Sequence, residues 1–303
     1  MKKIKKITAA LLVLTIIGGL TGCSKAQAGA VQNSSWPSSI VVVQFPNENN
    51  PNAGTRHEAF SKALSEYLGG IEIKEIEGTE YTVGIEAMAN GKIDVMGVSP
   101  MSYYQAKNRA GAELLVSTPL ASEYRTVFIT RADNNAINTM EDLKGHNFAF
   151  VEQASSSGYM YPKAKLVNDF DLDPALVENN GYFFSSVAFS GAHDASVTGV
   201  VMGDYEAAAV AGMIIDQMAD AGAVNKEELK IIGQTDLIPN PAYVVRGALP
   251  DDLKAKIKEF FLQYSDVEYF KDVHNDENIR FVDITEDDYK IIYDTLSALK
   301  MEE

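Results

Sequence analysis

The sequence predicts an α/β protein built as two lobes with mixed, mostly parallel sheets. Three observations carry that expectation. The chain has 303 residues, enough for about two ordinary domains. Short β-branched runs alternate with segments of helical period, the pattern of helices layered on parallel strands. The third is an internal echo. Gly91-Lys92-Ile93-Asp94-Val95-Met96-Gly97-Val98 resembles Gly203-Asp204-Tyr205-Glu206-Ala207-Ala208-Ala209-Val210. Each reads helix, glycine cap, acid, buried strand, and the distance between the copies is far too long for a solenoid.

The first residues differ from the rest. Lys2, Lys3, Lys5 and Lys6 precede an apolar run from 9 to 20, broken by Thr15, Gly18 and Gly19. A membrane-spanning helix needs about 20 apolar residues, so this run is too short to span. A basic start with a short apolar core is a secretion signal, expected over residues 1–22. Residues 23–39 are rich in Ser, Ala, Gly, Gln and Asn, which reads as a flexible tether.

The folded part is expected to begin near Ile40. Residues 40–43 read as a buried strand. A helix with Phe60, Ala63, Leu64, Tyr67 and Leu68 on one face stops at Gly69-Gly70. A strand through Ile71 and Ile73, a helix over 81–90, and strands over 93–98, 114–116 and 127–129 follow. Thr139-Met140-Glu141-Asp142 has the form of a capping box, and its short helix ends at Lys144-Gly145. Strands are expected at 147–151, 183–184, 230–232 and 243–245, with helices at 159–170, from near Ala195 to Gly203, at 251–264 and at 286–299. The boundaries are then 40–122 and 236–303 for a discontinuous lobe 1, and 123–235 for lobe 2.

Composition excludes several functions. There are 26 Lys+Arg against 42 Asp+Glu and one cysteine. That balance leaves no surplus of cations for nucleic acid. One cysteine rules out a disulfide framework and multi-cysteine metal sites. The four histidines show no metal-ligand spacing, and neither G-x-S-x-G, G-x-x-x-x-G-K-[ST] nor G-x-G-x-x-G occurs. No metal and no cofactor is expected.

Two places can do chemistry. Ser155-Ser156-Ser157-Gly158 lies between a strand and a helix. Such a junction leaves helical N–H groups unpaired with the positive dipole end behind them, and three hydroxyls add to an oxyanion cradle. Gly158 would let backbone approach a ligand. The plainer alternative is one N-cap serine among loop residues. His193, in Ser190-Gly191-Ala192-His193-Asp194, could donate to a ligand oxygen or simply sit on the surface. Ser157, His193 and an unassigned acid could also be drawn as the triad of a secreted serine hydrolase. A surface interaction lipoprotein with no small ligand is a further alternative.

Two resemblances narrow the choice. Leu20-Thr21-Gly22-Cys23 resembles the lipobox of bacterial lipoproteins. It implies that Cys23 becomes a lipid-modified N-terminus, anchoring the protein outside the cytoplasm on the bacterial membrane. Removing residues 1–22 makes the mature chain more acidic, at about −20. Over roughly residues 40–300, the chain resembles the phosphonate-binding family of ABC importers. The motifs are Tyr81-Thr82-Val83-Gly84-Ile85-Glu86-Ala87-Met88, Gly91-Lys92-Ile93-Asp94-Val95, Ser99-Pro100-Met101-Ser102-Tyr103, Asp142-Leu143-Lys144-Gly145, Ser155-Ser156-Ser157-Gly158-Tyr159-Met160-Tyr161-Pro162, Gly191-Ala192-His193-Asp194-Ala195 and Ile238-Pro239-Asn240-Pro241.

That resemblance implies a type 2 periplasmic-binding fold with a ligand cleft between the lobes. It implies an extracytoplasmic receptor, a monomer with no enzymatic activity, that passes a small phosphorus oxyanion to a membrane permease. Ser155, Ser156 and Ser157 would hold the ligand oxygens, His193 would add a donor, Ser99 would reach from the opposite lobe, and Tyr81 would form a wall. Hinges are expected at 121–125 and 233–239. Family members that bind aminoalkyl phosphonates place carboxylates near positions matching Met213 and Pro241, and a tyrosine near Val98. Their absence implies a ligand without an amine: phosphite, methylphosphonate or a related phosphonate, or phosphate. The same fold with another small ligand or oxyanion is the nearest alternative.

Overall fold

The structure, a computed structural model, describes residues 35–44, 53–78, 80–120, 123–274 and 276–300. The expected signal peptide, Cys23 and most of the tether lie outside the described residues, as do residues 121 and 122 of the first expected hinge.

In chain order the elements are β1 (Ser39–Gln44), α1 (Ala53–Tyr67), β2 (Glu72–Glu77), α2 (Tyr81–Ala89), β3 (Val95–Val98), α3 (Pro100–Ala110) and β4 (Glu113–Ser117). Next come β5 (Thr126–Arg131), β6 (Asn147–Phe150), α4 (Tyr161–Phe170), β7 (Ser186–Phe189), α5 (His193–Met202), β8 (Ala207–Ala211), α6 (Gly212–Asp220) and β9 (Leu229–Gln234). The chain ends with β10 (Ala242–Val245), α7 (Asp251–Gln263), α8 (Val267–His274) and α9 (Lys290–Ala298).

These strands form two five-stranded sheets, ordered β2-β1-β3-β10-β4 and β7-β6-β8-β5-β9. In the first, β10 runs antiparallel to both β3 and β4; in the second, β5 runs antiparallel to both β8 and β9. So four strands of each sheet point one way and one opposes them. The opposing strand is in each case the first one reached after the chain crosses between lobes.

The sequence echo marks equivalent positions. β3 and β8 are the central strands of their sheets. Gly91 and Gly203, with φ of 68° and 85°, adopt the left-handed turn that lets each preceding helix stop and reverse. The acid does the same job in both copies. Asp94 accepts the Val41 N–H at 2.9 Å, and Glu206 accepts the Asn147 N–H at 2.8 Å, each at the neighbouring parallel strand.

The central strands of both sheets are buried on both faces, which explains why they show no polar alternation. In the first sheet, Ile40, Val42, Val95, Tyr243 and Val245 pack against α1, α7 and α8 around Phe60, Phe261, Tyr269, Phe270 and Phe281. In the second, Phe128, Phe148, Ala207 and Ala209 face one cluster, while Val127, Ile129, Ala208 and Val210 face the other. Burying one such aromatic or branched side chain contributes roughly 1.5–3 kcal/mol. A further cluster joins the lobes: Met101, Tyr103, Tyr124 and Ile238 pack with Ala154, Met160, Tyr161 and Ala211.

Phe183 and Phe184, expected as a strand, instead lie in bends before β7. Their rings are core anchors. Phe184 stacks on Phe148 at 4.4 Å and Phe183 stacks on Phe170 at 5.1 Å. The helix expected near Ala195 starts at His193. At residues 138–142 only half a capping box forms: the Asp142 carboxylate accepts the Asn138 and Thr139 N–H groups, each at 2.9 Å.

The two crossings between lobes run side by side and bond to each other. Thr126 and Thr235 exchange bonds at 3.0 Å, Ile238 N donates to Tyr124 O at 2.8 Å, and Thr118 N donates to Pro241 O at 3.2 Å.

Candidate functional site

The site gathers at the C-terminal ends of strands, where open parallel sheets present helix N-termini. In lobe 1, β3 ends at Val98 and Ser99 becomes the N-cap of α3. Ser99 Oγ accepts the Ser102 N–H at 3.3 Å, and Ser102 Oγ accepts the Ser99 N–H at 2.7 Å. Pro100 follows in the first turn, where a missing N–H costs nothing. Gly111 ends the helix in the left-handed conformation.

In lobe 2, β6 leads into the serine run. Ser155 caps the turn, its Oγ accepting the Gly158 N–H at 3.0 Å. The first turn is wide: Met160 N reaches back five residues to Ser155 O at 3.1 Å, and Tyr161 N reaches Ser156 O. Pro162, with no N–H to give, sits where α4 takes over. Gly158 is required by packing. A Cβ there would lie 2.4 Å from Val151 Cβ and Cγ2, so the turn folds against the strand end only with glycine.

The two helix starts meet across the lobes. Met101 N donates to Ser156 Oγ at 2.7 Å, and Ser156 Oγ donates to Ser99 Oγ at 3.2 Å. Ser156 N also points at Ser99 Oγ, at 3.3 Å, and Ser99 Oγ reaches Ala154 O at 3.2 Å. All four serines, Ser99, Ser155, Ser156 and Ser157, are buried. Two positive dipole ends therefore converge on one spot, and serine oxygens accept their N–H groups there.

His193 lies beside this cradle, at the first residue of α5. Its Nδ1 accepts the Ala211 N–H at 3.1 Å and its Nε2 is 3.3 Å from Ser157 Oγ. Burial lowers its pKa to about 4, so the ring is neutral at pH 7. Because Nδ1 is an acceptor, the proton is on Nε2, and His193 donates to Ser157. This is the reverse of a catalytic base, whose Nε2 must accept the serine proton while Nδ1–H bonds an acid. The triad reading of Ser157 and His193 is thereby corrected.

Ser157 has further partners that sequence reasoning missed. Tyr124 OH donates to Ser157 Oγ at 3.1 Å, and Thr126 Oγ1 donates to Ser157 O at 2.7 Å. Burial pushes the Tyr124 phenol up to about 12. With Nε2–H and Tyr124 O–H both directed at its oxygen, the Ser157 hydroxyl is left to donate its own proton. Tyr124 lies in the first crossing between lobes, so no local pattern marks it.

Tyr81 begins α2 and packs partly buried against the cluster between the lobes. Burial raises its phenol pKa, with Tyr124, Glu152 and Tyr243 adding to the effect. Its backbone N–H donates to Glu152 Oε1 of the opposite lobe at 3.1 Å. Glu152 is a second residue missed by the sequence. Met213 and Val98 are packed into the same apolar cluster, Val98 fully buried.

Residues 42–289 match the family model described as ABC transporter, phosphonate, periplasmic substrate-binding protein. The chain belongs to that family. It is accordingly an extracytoplasmic substrate-binding component of an ABC importer and not an enzyme. The chain is 26% identical over 278 residues to the phosphate-import protein PhnD of Mycolicibacterium smegmatis, covering 88% of this chain and 84% of that protein. It is 25% identical over 212 residues to the probable ABC transporter phosphite-binding protein PhnD1 of Prochlorococcus marinus, covering 68% of this chain and 63% of that protein. The solved structure of Prochlorococcus marinus PhnD1 in complex with methylphosphonate superposes with a TM-score of 0.73 at 20% identity, covering 88% of this chain and all of that one. The last likeness concerns the fold, and it identifies the two lobes as those of a type 2 periplasmic-binding protein.

Proposed function

We propose that this substrate-binding protein captures a small phosphorus oxyanion, namely phosphite, methylphosphonate or a related phosphonate, with phosphate the remaining candidate. The observation that carries the reading is the meeting of Met101 N–H, Ser156 Oγ and Ser99 Oγ across the lobes. Donors from two helix starts already converge on oxygen acceptors there. An oxyanion offers the same acceptors with full charge, and charge-assisted bonds are roughly twice as strong as neutral ones. Two relatives, one named for phosphate import and one for phosphite binding, agree with that chemistry.

In this reading Ser155, Ser156 and Ser157 present donors from lobe 2, His193 adds its Nε2–H, Ser99 answers from lobe 1, and Tyr81 walls the cleft. Lobe 1 comprises residues 40–122 and 236–303, and lobe 2 comprises 123–235. The paired crossings act as the hinge. No carboxylate stands at Met213 or Pro241 to receive an ammonium, and Glu152 already accepts bonds from the start of α2. An ammonium buried in this cleft without a carboxylate partner would be costly, so an amine-free ligand is favoured.

The chain works as a monomer and hands its ligand to a membrane permease, held to the bacterial membrane by lipid on Cys23. Fractionation of cells tests the anchor: Cys23→Ser should release the protein from membranes. Calorimetry tests the ligand site. Methylphosphonate should bind the native protein and bind Ser156→Ala at least tenfold more weakly; equal affinities would reject the site.

A further inference from the structure

The N-terminus of α2 has no cap of its own. Glu80 occupies the capping position and its side chain makes no capping bond. A nine-residue helix leaves its first N–H groups without helical partners. Here a carboxylate from the other lobe supplies the acceptor. Glu152 Oε1 takes the Tyr81 N–H at 3.1 Å, and Glu152 Oε2 faces Thr82 Oγ1 at 3.5 Å. Among the described residues Glu152 has no ion pair, so these contacts at α2 are where its charge is spent. A negative charge at a helix start is favourable for the dipole as well as for the hydrogen bonds.

Glu152 is also tied to the ligand cradle. It follows β6 by two residues and precedes Ser156 by four. Its carbonyl accepts the Ser155 N–H at 2.9 Å, so the carboxylate and the serine run belong to one turn. Anything that sets the serine run against lobe 1 also sets Glu152 against α2.

We propose that Glu152 is a positioning residue that latches the lobes together, gripping the start of α2 only when the cleft is shut. The proposal rests on the reading that the lobes close around a ligand. A contact made only in the closed state slows opening, and removing it cannot slow capture. Loss of the latch therefore raises the dissociation rate without slowing association, a split that a merely structural residue would not produce.

The test has two arms. In the first, stopped-flow binding of methylphosphonate compares the native protein with Glu152→Ala and Glu152→Gln. Dissociation should be about tenfold faster in Glu152→Ala, corresponding to about 1.4 kcal/mol, with association no slower than native and partial rescue in Glu152→Gln. In the second, small-angle scattering without ligand should show a larger radius of gyration for Glu152→Ala than for the native protein. Should Glu152→Ala fail to fold, the near-isosteric Glu152→Gln decides by the same two readouts. Should methylphosphonate not bind the native protein at all, the ligand assignment fails while the scattering arm still judges the latch. Native dissociation and native scattering in the variants would overturn the proposal.

Discussion

The hydroxyl oxygen of Ser156 accepts the N–H of Met101 at 2.7 Å, so a side chain of one lobe terminates a helix of the other. Ser99 returns the favour, its Oγ lying 3.3 Å from the Ser156 N–H. This reciprocity explains how a chain with a net charge of −16 can still serve an anion. Attraction comes from local dipoles and hydroxyls, since the long-range field of the whole molecule is repulsive.

Ser99 carries two duties, capping α3 and facing the opposite lobe. Ser99→Ala should lose about 1 kcal/mol of stability through the cap and weaken methylphosphonate binding by tenfold or more. Chemical denaturation and calorimetry measure the two effects separately. A stability loss with unaltered affinity would confine Ser99 to capping.

His193 donates through Nε2 and accepts the Ala211 N–H through Nδ1. His193→Ala removes both and leaves the N–H of the buried Ala211 without its acceptor, a loss on the order of 1–3 kcal/mol. Binding should weaken about tenfold or more. Neither the native protein nor the variant should turn over phosphate or carboxylate esters; turnover abolished in Ser157→Ala would restore the hydrolase reading.

Gly158 is required by Val151, whose Cβ and Cγ2 would lie 2.4 Å from any added Cβ. Gly158→Ala should cost roughly 1–3 kcal/mol, the usual range for overpacking. Pairing it with Val151→Ala should recover part of that loss, seen as a favourable coupling in a double-mutant cycle. Strict additivity would place the strain elsewhere.

Acid sensitivity should come from buried histidines. Burial lowers His57 and His193 to about 4 and His274 to about 3, from an ordinary value of 6.5. The unfolded chain thus takes up protons below about pH 6.5 that the native protein refuses until near pH 4. Stability contributed by these groups is present above 6.5 and is lost as pH falls through that window. Melting temperatures should decline from pH 6.5 toward pH 4, and His57→Gln should make the decline shallower. A flat profile between pH 6.5 and 5 would contradict this.

Much of the framework was legible because it is local. The glycine–acid–strand echo placed both central strands, since Asp94 and Glu206 meet the same need in each sheet. Ser155, Ser156 and Ser157 were legible as a strand-to-helix junction. β7 was not. It is an edge strand with half-buried or exposed residues, so Phe183 and Phe184 beside it carried the apolar signal instead. α3 passed unnoticed as a helix because only its first half is buried and no apolar stripe runs its length. Tyr124, Thr126 and Glu152 were hidden for another reason. Their roles arise from partners 33, 31 and 71 positions away.

The central claim is that the cleft takes a small phosphorus oxyanion lacking an amine. A thermal-shift panel with phosphite, methylphosphonate, phosphate and 2-aminoethylphosphonate at millimolar concentration tests it most directly, because a ligand bound only by the native state must raise its melting temperature. At least one of the first three should raise it by several degrees, and the amine should raise it less. No shift from any of the three, or a preference for 2-aminoethylphosphonate, would contradict the account.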